Sequence, residues 1–128
     1  MKKYHFFEPA QKLTQDSYWV ALVGNPNCGK TAIFNLLTGL NQKVSNYPGI
    51  TVEKKVGTVY TQGEKTFNLL DFPGTYSLSA ESFDEQIVSD QVLSWAKGEN
   101  PPAVIVSVVD ASNLSRNLYL TTQLLDLD

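Results

Sequence analysis

The chain has 128 residues, 42% of them hydrophobic and 18% charged, with a formal net charge of −3. That length holds one domain and is too short for two, and the composition is that of an ordinary globular chain with a real core rather than a disordered one. The mild charge points to no nucleic-acid or anionic-membrane surface, and the longest apolar stretch, Ala103 to Val109, falls far short of the ~20 residues of a membrane span.

Residues 1–17 carry two early lysines but neither an apolar core of secretory length nor a small-residue cleavage site, so they read as a flexible leader or a short edge segment. His5, the one histidine, stands there without a metal-binding or catalytic companion. Tyr18 to Val23 is an apolar run suited to a buried strand, and it leads into Gly24-Asn-Pro-Asn-Cys-Gly-Lys-Thr31, which fits the phosphate-binding pattern GxxxxGK[ST]. Wrapping a backbone around a polyanion needs consecutive N–H groups pointing inward, and glycine allows an approach that a side chain would block. The helix that starts near Gly29 adds its positive dipole end. Lys30 then reaches the β- and γ-phosphates as a point charge, and the Thr31 hydroxyl is suited to Mg²⁺. The expected phosphate-binding run is Gly24, Asn25, Pro26, Asn27, Cys28, Gly29, Lys30, Thr31 and Ala32. Cys28 occupies a position where only backbone matters. As the one cysteine it forms no internal disulfide, which agrees with a reducing cytosol.

Apolar residues at helical spacing continue to Thr38, with a stop at Gly39. Asn41 to Thr51 is polar, rich in turn formers, and reads as a long loop. Val52 to Thr61 and Lys65 to Asp71 flank Gln62-Gly63-Glu64 and predict a β-hairpin. A second loop, Phe72 to Glu81, precedes a helix from Asp84 to Ala96 whose apolar stripe is Ile87, Val88, Val92, Leu93 and Trp95 to Ala96, ended by Gly98 and Pro101-Pro102. Ala103 to Val109 is apolar on both faces, as central parallel strands are. Leu114 to Leu125 predicts an amphipathic helix with Leu114, Leu118, Leu120, Leu124 and Leu125 as its buried residues. This order opens a doubly wound α/β fold. The chain stops right after a helix where another strand is expected, so the reading is a three-layer α/β/α fold truncated after its third helix.

Asp71-Phe-Pro-Gly74 falls at the carboxyl end of a strand, where open α/β sheets bind ligands. A carboxylate there can hold a water on Mg²⁺, and the Gly74 N–H can bond a γ-phosphate, so the following loop would respond to its loss. An Asp-x-Pro-Gly turn alone would use the same residue types. Thr51 is the matching candidate for a second hydroxyl ligand to Mg²⁺, although a β-branched residue also fits a plain strand position.

Four blocks together resemble the cytosolic GTPase domain of the ferrous iron transport protein B family: Gly24 to Thr31, Asn46-Tyr-Pro-Gly-Ile-Thr-Val-Glu-Lys-Lys55, Asp71-Phe-Pro-Gly-Thr-Tyr-Ser-Leu78 and Asp110-Ala-Ser-Asn-Leu-Ser-Arg-Asn-Leu-Tyr-Leu-Thr-Thr-Gln-Leu-Leu125. The first and third are shared with many translation-factor-class GTPases; the second and fourth discriminate. The resemblance implies a phosphate-loop NTPase of the Ras-like (TRAFAC) G-domain class over residues 18–128, with GTP or GDP as ligand and Mg²⁺ held by Thr31, Thr51 and Asp71. It makes Thr51 a switch threonine and Asn27 the residue that binds a K⁺ ion beside the phosphates, where the ion acts as an arginine finger would. The residues so expected to act in catalysis are Asn27, Lys30 and Thr51. Asn27 is also simply a residue that tolerates unusual φ. Thr75 stands where Ras-like enzymes carry a water-orienting glutamine, which implies slow hydrolysis. Arg116, the one arginine, is expected to be solvated at a helix start far from the loops.

The family's guanine-reading motif, of Asn/Thr-Lys-x-Asp type, is absent from these residues, and Val109-Asp110-Ala111 does not replace it. In the intact protein the resemblance implies a membrane permease domain, Fe²⁺ as cargo and a place on the cytoplasmic face of the bacterial inner membrane, with this stretch itself soluble and no nucleic-acid partner. Two other readings compete: a truncated, non-catalytic remnant of such a domain, and a ribosome- or tRNA-associated GTPase, which shares the loop but usually carries a basic extension.

Overall fold

The computed structural model describes residues 18–127. The segment read as a leader, with His5, lies outside the described residues. The elements are β1 (Tyr18–Gly24), α1 (Lys30–Thr38), β2 (Gln42–Asn46), β3 (Glu53–Thr61), β4 (Glu64–Asp71), α2 (Phe83–Ala96), β5 (Val104–Val108), a 3-10 turn (Ala111–Asn113) and α3 (Leu114–Leu125). One five-stranded sheet runs in the order β2-β3-β4-β1-β5. β1 is parallel to β4 and β5, while β2, β3 and β4 form an antiparallel ribbon. Thr61 pairs with Glu64, and the two residues between them, Gln62 and Gly63, both have positive φ, as a type I′ hairpin turn requires.

Strand alternation divides the core into two layers. Leu22, Leu69, Val59 and Val108 meet Phe34 of α1 on one face. Ala21, Val23, Leu70 and Phe72 meet Ile87, Val88, Val92 and Trp95 of α2 on the other, where Trp95 stands edge-on to Phe72 with centroids 5.4 Å apart. Each such side chain contributes about 1.5–3 kcal/mol by leaving water. The layers hold the carboxyl ends of β1 and β4 side by side, and that edge carries the phosphate-side loops.

Four expectations are corrected. Asn41 to Thr51 is not all loop, because β2 occupies Gln42–Asn46; it pairs with β3 from Gln42↔Gly57 to Asn46↔Glu53. Its side chains are almost all exposed, so this edge strand shows no apolar alternation to read. β5 is not a buried central strand among the described residues: there it pairs with β1 alone, and Val104, Ile105 and Val106 are exposed. On α3, Leu114, Leu118 and Leu125 are exposed, Leu120 is buried and Leu124 packs partly on the core. The inward face instead runs through Asn117, Leu120, Leu124 and Leu127, a helical seam in which one member is polar. On α2 the stripe holds except at Leu93 and Ala96, which are exposed, while Ser89 and Gln91 are buried.

Candidate functional site

β1 ends at Gly24, and the chain turns back with Cys28 N–H donating to the Asn25 carbonyl at 3.3 Å. Asn27 at φ 61 and Gly29 at φ 95 are both left-handed, the conformation that turns successive N–H groups toward one side of a loop. α1 begins directly after Gly29 with no side-chain cap and no acidic residue in its first turn. Its first N–H groups are therefore left for an anionic ligand. Asn25 is buried, and its Nδ2 donates to the Arg116 carbonyl of α3 at 3.3 Å, which fixes the loop from below. The Cys28 side chain packs toward the α1-side core as a free thiol, and Ala32 offers only backbone.

The segment after β4 is laced to the same loop. Phe72 N–H donates to the Leu22 carbonyl at 3.1 Å and Thr75 N–H to the Gly24 carbonyl at 2.9 Å. Between them Gly74 lies against Pro26 so closely that a Cβ would stand 2.8 Å from Pro26 Cα and 2.9 Å from Pro26 N, which are backbone atoms that cannot yield. Thr75 is fully buried, and its hydroxyl is directed to the Ser77 carbonyl at 2.7 Å and Glu85 Oε2 at 2.9 Å. It faces the base of α2, not the phosphate side. Glu85 also accepts from Tyr76 N–H at 3.1 Å, while the side chain of Ser82, the N-cap of α2, accepts from Glu85 N–H at 3.2 Å.

Thr51 is presented by a tight turn. Ile50 N–H donates to the Tyr47 carbonyl at 3.2 Å, with Pro48 second and Gly49 third at φ 76, the residue order of a type II turn. Tyr47 N–H closes the base on the Val52 carbonyl at 3.0 Å, and the Tyr47 ring is fully buried in the α2-side core.

These pieces converge. Lys30, Thr31, Thr51, Asp71 and Gly74 line one cavity of about 470 Å³, together with Glu53, Lys55 and Asp84. Asn25, Pro26, Asn27 and Gly29 line an adjoining cavity of about 550 Å³ that shares Lys30, Thr31 and Gly74. Gly24, Cys28 and Ala32 line neither and act through the course of the backbone. Lys30 Nζ and Asp71 Oδ1 are 2.5 Å apart in a buried ion pair. Burial pushes the Asp71 carboxyl above its ordinary value, and the Lys30 and Lys55 charges partly offset that. Two hydroxyls and one carboxylate on a single cavity form a hard oxygen donor set.

Sequence reasoning passed over Lys55 and Asp84. Lys55 is aligned with Asp71 across the β3–β4 ladder, a register that the hairpin turn sets. Asp84 lies in the first turn of α2 and lines both cavities. Arg116 is misjudged as remote: its guanidinium carbon lies 4.1 Å from the Tyr76 ring centroid, so α3 touches the loop after Asp71.

Comparison with known proteins agrees with this fold. The profile of the family described as "Ferrous iron transport protein B" matches residues 18–128. The Fe(2+) transporter FeoB of Methanocaldococcus jannaschii is 50% identical over 111 residues, which cover 87% of this chain and 16% of that protein. For that of Escherichia coli strain K12 the figures are 50% over 112 residues, 84% and 14%. The chain thus spans about one-seventh of the length of these curated relatives. Among solved structures, the G domain of T. maritima FeoB superposes with a TM-score of 0.76 at 43% identity, covering 88% of this chain and 67% of that one. A GDP-bound variant of the S. thermophilus FeoB G-domain gives 0.72 at 48% identity, covering 85% and 39%. With the family profile matched over residues 18–128 and solved G domains superposing at 43–48% identity, the chain belongs to the ferrous iron transport protein B family and has the fold of that family's G domain.

Proposed function

We propose that this chain binds GTP and hydrolyses it slowly, as the nucleotide-handling part of a regulatory domain of an Fe²⁺ transporter. One observation carries the reading: Lys30, Thr31, Thr51, Asp71 and Gly74, drawn from three separate segments, line a single cavity beside the left-handed phosphate loop. In this reading α1's first N–H groups and the loop backbone cradle the phosphates, and Lys30 exchanges its bond to Asp71 for one to the β- and γ-oxygens. The Gly74 N–H senses the γ-phosphate, and its packing on Pro26 passes that signal between the two loops. Thr31, Thr51 and Asp71 would hold Mg²⁺, which neutralises phosphate charge, with Asp71 acting through water. Asn27 would hold K⁺ beside the phosphates, where the ion would add positive charge to that of Lys30 as negative charge develops. Thr75, turned away toward Glu85, orients no water, so turnover is slow.

Residues 18–128 are in this proposal the amino-terminal part of such a domain, with base reading supplied elsewhere in the intact protein. There the domain would lie on the cytoplasmic side of a membrane permease that carries Fe²⁺. Among the described residues no helix is long and apolar enough to cross a membrane. Binding of fluorescent GDP and GTP, with ATP as competitor, tests the reading. Lys30→Ala should lose roughly ten- to a hundredfold in affinity, the value of a charge-assisted hydrogen bond to phosphate. Equal affinity in variant and parent would refute the phosphate site.

A further inference from the structure

The loop that follows Asp71 is gripped from two sides. From α2, Glu85 takes Thr75 O–H and Tyr76 N–H, and Ser89 Oγ donates to the Leu78 carbonyl at 2.8 Å. From α3, Gln123 Oε1 accepts from Leu78 N–H at 2.8 Å, and the Arg116 guanidinium lies over the Tyr76 ring. Arg116 differs from the other three in also touching the phosphate loop, because its own carbonyl accepts from Asn25 Nδ2. One residue thereby meets both loops that frame the cavity, with its backbone on one and its side chain on the other. The carbonyl contact is fixed by the helix. The side-chain contact is not, since Arg116 and Tyr76 are both exposed and a stacked cation can leave its ring.

We propose that Arg116 is a positioning residue: by stacking on Tyr76 it ties the Asp71–Leu78 loop to the phosphate loop through α3, and so reinforces the Thr75–Gly24 bond that holds Gly74 at the cavity. It touches no phosphate and supplies no charge to the reaction. Its part in turnover rests on the GTP-hydrolysing reading above; its part in holding the loop does not. Loss of the stack leaves Asn25 anchored while residues 75–78 gain freedom, so the effect is local to that loop.

Amide hydrogen exchange on the full chain tests the tie without any nucleotide. Arg116→Ala and Tyr76→Leu should each speed exchange at the Tyr76 and Leu78 N–H groups by roughly two- to fivefold, the factor an exposed cation–π contact supplies, with Val20 and Leu22 in β1 unchanged. The double variant should exchange no faster than either single one, and Tyr76→Phe, which keeps the ring, should match the parent. Unchanged exchange in Arg116→Ala, or effects that multiply in the double variant, would overturn the proposal. In turnover, Arg116→Ala should lower kcat by a similar factor and leave KM for GTP in place, with Arg116→Lys intermediate; a rise in KM at constant kcat would overturn the positioning role. A parent chain with no GTP turnover would refute the functional reading, while the exchange comparison would still decide the tie.

Discussion

Lys30 Nζ and Asp71 Oδ1 stand 2.5 Å apart with only 9% and 6% of their side chains exposed, so a cation and a carboxylate on the wall of one cavity neutralise each other inside the protein. A buried pair of this kind contributes little net stability, but removing one partner leaves a buried charge uncompensated. Under the proposed function ligand binding redistributes this pair: Lys30 would turn to phosphate as Asp71 gained a new cation.

Lys30→Met should destabilise the chain by about 3 kcal/mol, whereas Lys30→Met with Asp71→Asn should recover most of that loss without recovering nucleotide affinity. The pH sign follows from Asp71. Its folded-state value is already raised by burial, and losing Lys30 raises it further, so the folded variant holds its proton to higher pH than the unfolded chain. Its deficit relative to the parent should be small on the acid side and grow as pH rises to neutrality. Thermal melts across that range check it, and a constant gap would contradict the buried-charge account.

Gly74→Ala should cost about 1–3 kcal/mol, because the new methyl meets the Pro26 backbone. Relief comes only if the loop withdraws, which takes the Gly74 N–H away from the cavity. GTP affinity should drop toward that for GDP while GDP affinity stays. Gly29→Ala makes the contrast: nothing lies within 4 Å of its Cβ position, and the strain of φ +95 alone is worth about 1–2 kcal/mol. Parallel titrations of both nucleotides separate the two cases.

Tyr47 is the anchor beneath Thr51, packed with Phe72, Ile87 and Val88 while the turn above it carries the threonine to the cavity. Burial, then the charge of Asp71, pushes its hydroxyl well above the ordinary value, so it stays neutral. Tyr47→Ala should cost about 3–5 kcal/mol and weaken the Mg²⁺ dependence of GTP binding, whereas Tyr47→Phe, which keeps the ring in the core, should retain that dependence. A Mg²⁺ titration of GTP affinity in both variants is the measurement. Unaltered Mg²⁺ dependence in a folded Tyr47→Ala variant would remove the anchor role.

The elements around the site were legible where chemistry is local. Gly24 to Thr31, the hairpin and Asp71-Phe-Pro-Gly74 each announce themselves by residue type and spacing. β2 was not legible because its partner supplies its order: five nearly all-exposed residues have no alternation of their own. Tyr47-Pro48-Gly49-Ile50 lies in a stretch whose turn formers point only to a long loop, although Pro followed by Gly is the signal of the type II turn that presents Thr51. The leucines of α3 misled because the helix buries a seam through Asn117, and a buried asparagine breaks an apolar count. Contacts between distant segments, Lys30 with Asp71 and Arg116 with Tyr76, follow from packing and leave no trace in spacing.

Glu85 is the hub of the second loop. Desolvation acts to raise its carboxyl, but bonds from the Thr75 hydroxyl, the Tyr76 and Glu81 backbone and the Ser82 hydroxyl outweigh that and hold it below its ordinary value. A depressed folded value means stability that is present above the ordinary glutamate range and lost as pH falls through the folded value. Glu85→Gln should therefore cost a few tenths of a kcal/mol and at most about 1 kcal/mol at neutral pH, since solvent screens the charge lost at the start of α2, and almost nothing in acid. Melting curves of parent and variant should converge as pH falls; parallel curves would remove the carboxylate from this role.

Asn27 offers the sharpest separation of backbone from side chain, because φ 61 alone would account for an asparagine there. Asn27→Ala confounds the two, since alanine strains a left-handed position as well as losing the amide. Asn27→Gly does not: it accepts that conformation freely and removes only the side chain. If the amide holds K⁺ beside the phosphates, the parent should hydrolyse GTP faster in KCl than in NaCl, and Asn27→Gly should run at the slower rate in both salts with GDP affinity preserved. A variant that keeps the K⁺ advantage would reduce Asn27 to a turn former and move the cation to other oxygens of the loop.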